Sequence, residues 1–211
     1  IMEQFISNSD INLLYFIQEH FRNDFLTPIF RFITDLGDMG LIWIISAVFF
    51  LIFQKTRSAG FAALLSITIN FIITNGILKQ WVARARPFET YPDIIPLISP
   101  PTDFSFPSGH TACAFAFAFI VYKILPRIYG IPAITAAALM GFSRLYLAVH
   151  YPADVLMGVF AGAVSARLAI SLLPYVRSFL KYQKKPVLSP YSLQKKQPIV
   201  NKNYNRLPCD L

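Results

Sequence analysis

Lys79 and Arg86 stand seven positions apart in KQWVARARP, the tetrapeptide PSGH occupies 107–110, and SRLYLAVHYPAD carries Arg144, His150 and Asp154. Two of the chain's three histidines, four cations and one carboxylate thus fall in three short segments. Inside an apolar protein such groups cost free energy unless they are satisfied or used. Each segment alone has a structural reading. Lys79 and Arg86 could anchor a helix end among headgroups, PSGH could be a helix cap that happens to precede a histidine, and Asp154 could cap a helix beside an unrelated His150. One ligand, a phosphate, accounts for all three segments at once.

The expected chemistry follows from the residue types. A seven-residue spacing is close to two helical turns, so Lys79 and Arg86 could project from one face before Pro87 ends the helix. Pro107 suits a first helical turn, and the backbone N–H groups of Ser108 and Gly109 would face outward at a helix start, where phosphate is attracted. Arg144 is expected to end one helix, His150 to lie in the turn, and Pro152 with Asp154 to begin the next. A carboxylate that accepts a hydrogen bond from one imidazole nitrogen presents the other as a nucleophile. In this reading Lys79, Arg86, Arg144, Ser108 and Gly109 bind the phosphate oxygens, His150 attacks phosphorus in line, and Asp154 holds His150. His110 protonates the departing oxygen and then helps to activate the water that hydrolyses the phosphohistidine. No Asp, Glu and His cluster on this side has metal-ligand spacing, so neither a metal nor another cofactor is expected.

The elements that must position these groups are set by an unusual solvent. The 211 residues are 55% hydrophobic and 14% charged, too apolar for an ordinary soluble domain. Apolar stretches cover 40–53, 59–78, 111–122, 131–142 and 155–173. Several approach the roughly 20 residues of a spanning helix, and flanking polar residues that snorkel complete the shorter ones. An all-α, polytopic transmembrane bundle of about five spans is expected. The net charge of +8 suggests nucleic acid until the cations are placed along the chain. Lys55 and Arg57, then Lys123 and Arg127, then Arg177, Lys181, Lys184 and Lys185 follow alternate stretches, which places those connections in the cytoplasm. Glu3, Asp10, Glu19, Asp24, Asp35 and Asp38 outweigh Arg22 and Arg31 in the N-terminal segment, which is expected outside. Lys79, Arg84, Arg86 and Arg144 break the trend on the outer side, as an anion there would require. Arg167 is expected to snorkel to the cytoplasmic headgroups. Cys113 and Cys209 suggest neither a disulfide nor a zinc site, and the first residues do not read as a removable signal peptide.

Three regions are expected. Residues 1–38 form an amphipathic interfacial segment, with Leu13, Leu14, Ile17 and Phe21 at helical spacing and a break near Asp24 and Pro28; if it crosses, there are six spans. His20 reads as a headgroup-level polar residue. Residues 39–176 form the membrane core. Its connection 87–106 holds five prolines, cannot be regular helix, and carries an apolar edge at Ile94, Ile95, Leu97 and Ile98; it is either a binding element or a stiff cover. Residues 177–211 read as a basic, disordered cytoplasmic tail.

The three segments match K-x6-RP, PSGH and SR-x5-H-x3-D, and on these the chain resembles the type 2 phosphatidic acid phosphatase superfamily. The resemblance implies a helical bundle with its site at the outer membrane face, phosphate binding by Lys79, Arg86, Ser108, Gly109 and Arg144, and catalysis by His150, Asp154 and His110. Soluble vanadium haloperoxidases share the signature, but the apolar spans argue against that branch. The expected substrate is a lipid phosphate or diphosphate met among membrane lipids, with undecaprenyl diphosphate first and phosphatidylglycerol phosphate or phosphatidic acid second. A lipid-anion binder or transporter without catalysis is the reading of another class. No nucleic-acid partner is expected.

Overall fold

A chain this apolar satisfies its backbone in lipid through helices. In the computed structural model, which describes residues 2–183 and the side chains of residues 8–175, every regular element is helical. They run α1 (Met2–Phe21), α2 (Leu26–Leu36), α3 (Leu41–Ile52), α4 (Arg57–Phe71), α5 (Lys79–Val82), α6 (Pro87–Thr90), α7 (Gly109–Ile124), α8 (Arg127–Tyr146) and α9 (Pro152–Gln183). A single 3-10 turn, Asp38–Gly40, precedes α3, and a π-helical segment, Ile72–Leu78, joins α4 to α5.

All five expected apolar stretches lie in helices, save Phe53 at the end of the first. By length and composition the run Arg57–Thr90, α8 and the Pro152–Tyr175 part of α9 each suffice to cross a membrane, and α2 with Asp38–Ile52 makes a fourth candidate bent by 46°. The bend has a local cause, since Met39 and Gly40 take left-handed φ of 49° and 72°. Helix α7 has only 16 residues. It is the central helix, with Ala112, Ala114, Ala116, Ala118 and Ile120 fully buried against its neighbours. The main core joins these to Trp43 and Ala47 of α3, Ala62 and Ile67 of α4, Ala137 and Met140 of α8, and Ala169 of α9.

Two glycines bring α9 close to α7. A Cβ at Gly158 would lie 2.9 Å from the carbonyl oxygen of Ser108, and one at Gly162 would lie 2.8 Å from both the Ala112 oxygen and the Ala116 nitrogen. These are backbone contacts that no rotamer relieves. Small residues four apart are a common means of such approach in membranes.

Helix α1 differs in detail from the expected amphipathic face. Its buried side is Asp10, Ile11, Leu14 and Ile17, while Leu13 and Phe21 are exposed. The break falls at 22–25, with Pro28 inside the first turn of α2. His20 is exposed and stacks on Phe16, in keeping with a surface role. Pro174 closes the first compact unit of the chain. Of the second, residues 175–183 continue the helical conformation, past the expected start of the tail at Arg177. The rest of the expected tail, with Cys209, lies outside the described residues.

Gly162→Ala should force α9 away from α7 and destabilise the protein by about 1–3 kcal/mol, the usual cost of overpacking. Thermal unfolding in detergent would register it as a lowered midpoint, whereas Gly76→Ala, where a Cβ meets nothing within 4 Å, serves as the matched control.

Candidate active site

The expected helix bearing both Lys79 and Arg86 is interrupted. The π-helical turn leads into α5, but Ala83 takes a left-handed φ of 47° and ends it. Pro87 holds Arg86 extended, as residues before proline are, and Arg86 becomes the cap of α6, its N–H donating to Glu89 Oε2 at 2.7 Å. The two cations nevertheless converge, because Asp103 in the following loop lies between them. Lys79 Nζ pairs with Asp103 Oδ2, Arg86 donates through NH2 to Asp103 Oδ1 at 2.6 Å, and Arg86 Nε reaches the Asp103 carbonyl at 2.8 Å. Burial would raise the Asp103 pKa, but the hydrogen bonds and charges of Lys79 and Arg86 overcome it and hold the carboxyl at about 2.

His150 is 1% exposed, in the turn between α8 and α9. Its Nδ1 faces Asp154 Oδ2 at 3.5 Å and Ser105 Oγ at 3.4 Å. Its Nε2 lies 3.3 Å from Arg86 NH1. A guanidinium can only donate, so Nε2 must offer its lone pair on that side, and the proton belongs on Nδ1 toward Asp154. Arg86 NH1 is steadied by the Val149 carbonyl at 2.7 Å. Asp154 is fully buried and well satisfied: it accepts from Ser105 Oγ at 2.5 Å, from the Tyr151 N–H at 2.9 Å and from Arg84 NH1 at 2.7 Å.

Arg144 comes from the last turn of α8 and is 3% exposed. NH1 donates to Thr34 of α2, while its buried Nε has no hydrogen-bond partner. His110, in the first turn of α7, lies 4.0 Å from Asp38 through Nε2. A cavity of about 1240 Å³ is lined by Lys79, Arg86, Asp103, Gly109, His110, Arg144 and His150 together, and continues between α2, α3 and α4 past Ile44, Ile67, Asn70 and Phe71. Leu97 and Ile98 of the proline-rich loop line its rim, Ile94 is buried against α1, and Ile95 is exposed. One turn of that loop, α6, is regular helix, against expectation, because Pro87 takes the first helical position it tolerates.

Ser108 stands apart from the group. Helix α7 starts at Gly109, so Pro107 precedes it and Ser108 is the cap. The Ser108 N–H donates to the Asp154 carbonyl at 3.1 Å and its hydroxyl meets Thr111 Oγ1 at 2.9 Å, so its donors are engaged away from the cavity. Ser105, Asp103 and Asp10 were not anticipated as parts of the site, and Arg84 was anticipated only as an outer cation. Among the described residues no group of three or more His, Cys, Asp or Glu could hold a metal ion.

A model of the PAP2 superfamily matches residues 59–178. The chain belongs to the PAP2 superfamily. Phosphatidylglycerophosphatase B of Bacillus subtilis is 36% identical over 155 residues, covering 67% of this chain and 72% of that protein. Undecaprenyl-diphosphatase of Sulfolobus acidocaldarius is 32% identical over 131 residues, 62% of this chain, and the chain spans 63% of that protein's length. The crystal structure of Aquifex aeolicus LpxE superposes with a TM-score of 0.69 at 26% identity, covering 77% of this chain and 94% of that one. The PAP2 match includes every residue of the three signatures and excludes α1 and α2, so Asp10 and Thr34 lie beyond it.

Burial, with the charges of Arg86 and Arg144, lowers the His150 pKa from 6.5 to about 4 against the pull of Asp154. Because the folded value is the lower one, the unfolded chain alone takes up this proton as pH falls from 6.5 toward 4, and stability is lost across that window. The neutral imidazole persists through it. The acid limb of kcat/KM, corrected for substrate ionisation, should therefore fall near pH 4 rather than 6.5.

Proposed function

We propose that this member of the PAP2 superfamily is an integral membrane phosphatase that hydrolyses a lipid phosphate or diphosphate through a phosphohistidine on His150. One observation carries the reading: His150 Nε2 turns its lone pair toward the cavity, 3.3 Å from Arg86, while Asp154 and Ser105 hold the opposite nitrogen. Lys79, Arg86 and Arg144, each less than a tenth exposed, line the same cavity and supply the charge that a transferring phosphoryl group demands. The unpartnered Nε of Arg144 suits an oxyanion acceptor. Gly109 leaves room for a phosphate oxygen close to Lys79. His110, on the opposite element, is the general acid for the leaving lipid oxygen and then the base for water.

The apolar extension of the cavity between α2, α3 and α4 suits a hydrocarbon chain. Undecaprenyl diphosphate is the first substrate, supported by the likeness to the Sulfolobus acidocaldarius undecaprenyl-diphosphatase. The higher identity to phosphatidylglycerophosphatase B supports phosphatidylglycerol phosphate as the second, and phosphatidic acid shares its head chemistry. The distribution of cations along the sequence supports a site on the extracytoplasmic face and a C-terminus in the cytoplasm.

Purified protein in detergent, offered these three lipids, should release phosphate from one of them selectively and continue to do so in EDTA. Loss of turnover in chelator, restored by a divalent ion, would count against the mechanism. His150→Ala should abolish release while the unfolding midpoint stays near wild type; a carrier would retain lipid transport in that variant. Arg144→Lys should reduce kcat/KM by roughly tenfold or more, because a point charge cannot replace a forked donor.

A further inference from the structure

Asp10 and Arg84 are buried or half-buried ions that the proposed reaction does not yet use. Arg84 NH1 donates to Asp154 Oδ1 and NH2 to Asp10 Oδ2, each at 2.7 Å, and its guanidinium carbon lies 3.9 Å over the Tyr151 ring. Asp10 also accepts the Ala153 N–H at 2.9 Å, in the first turn of α9, and the Arg84 carbonyl accepts the Ser105 N–H at 2.9 Å. Arg84 therefore joins helix α1 to both groups that hold His150. Asp10 shares the buried face of α1 with Leu14 and Ile17, which pack near Leu145, Ala148 and Tyr151 of the His150 turn. The apolar contacts thus deliver a charge to one place.

The charge has a consequence for the nucleophile. When Nε2 attacks phosphorus the imidazole becomes cationic, and Asp154 must offset it beside Arg86 and Arg144. A carboxylate bound to Arg84 alone forms a neutral pair that stabilises a cation poorly. Asp10 adds a second negative charge, so the Asp10, Arg84 and Asp154 trio is anionic by one. Resting on the phosphatase reading above, we infer that Asp10 is a positioning residue for the hydrolysis, acting through Arg84 to keep Asp154 oriented and the trio net negative. The N-terminal helix is by this account part of the reaction centre, although the PAP2 match begins only at residue 59.

The test uses the full-length protein and the lipid that wild type cleaves best. Asp10→Asn keeps the shape and removes the charge. It should lower kcat by roughly tenfold to a hundredfold, the range for groups that orient a reacting residue from behind, with KM within about threefold. Asp10→Glu should recover part of the loss. Asp10→Asn combined with Arg84→Gln returns the trio to a net single negative charge, and its kcat should lie at or above that of Asp10→Asn alone. Unfolding midpoints normalise each rate to folded protein. Wild-type kcat in Asp10→Asn, or losses that multiply in the double variant, would overturn the inference while leaving the phosphatase reading intact. A wild-type protein that releases no phosphate from any of the three lipids would overturn both.

Discussion

Lys79, Arg86 and Arg144 are buried beside one another at the end of an apolar bundle, and like charges in such surroundings repel strongly and hydrate poorly. The neighbouring structure is organised by the need to hold them there. The wide π-helical turn and the left-handed Ala83 redirect the chain so that Lys79 and Arg86 approach from different segments. The proline-rich loop returns with Asp103 to sit between them. Helix α2 supplies Thr34 to the third. Helix ends and loops carry all of this, which leaves the middle of the bundle free for apolar packing.

A second balance sits behind the first. His150 faces the Arg86 guanidinium with one nitrogen and the Asp154 carboxylate with the other, so its ring separates a positive chamber from a negative one. Asp154 also ties the start of α9 to the head of α7, since its backbone carbonyl receives the Ser108 N–H. The close packing of Gly158 and Gly162 on α7 fixes that junction. Placement of the two histidines thus depends on helix contact beside the site rather than on the site's own polar groups alone.

Much of this was legible before any coordinates. The apolar stretches foretold the helices, because in lipid the backbone has few alternatives, and of the expected site residues Lys79, Arg86, Gly109, His110, Arg144 and His150 line the cavity, while Ser108 and Asp154 do not. What escaped was whatever depended on distant pairing. Nothing about an alanine announces a left-handed φ, so the end of α5 at Val82 was invisible. Ser105 reaches Asp154 across 49 positions, and Arg84 reaches Asp10 across 74. A hydroxyl or a cation in a loop gives no local sign of such a partner. Ser108 looked like an anion donor because helix starts usually offer free N–H groups, yet here tertiary packing engages its N–H. Asp10 had one visible clue, a carboxylate at helical spacing from Leu14 and Ile17, on a face that otherwise packs inward.

Asp103 gives the cation pair an occupant of its own. On the proposed phosphatase reading, an arriving phosphate does not enter a vacuum of charge; it would compete with a tethered carboxylate that is already seated. Affinity then reports a contest between two anions, and a lipid whose head carries too little charge gains nothing by displacing the incumbent. On that reading, selection for phosphate over weaker anions would be built into the resting protein, before any bond is broken.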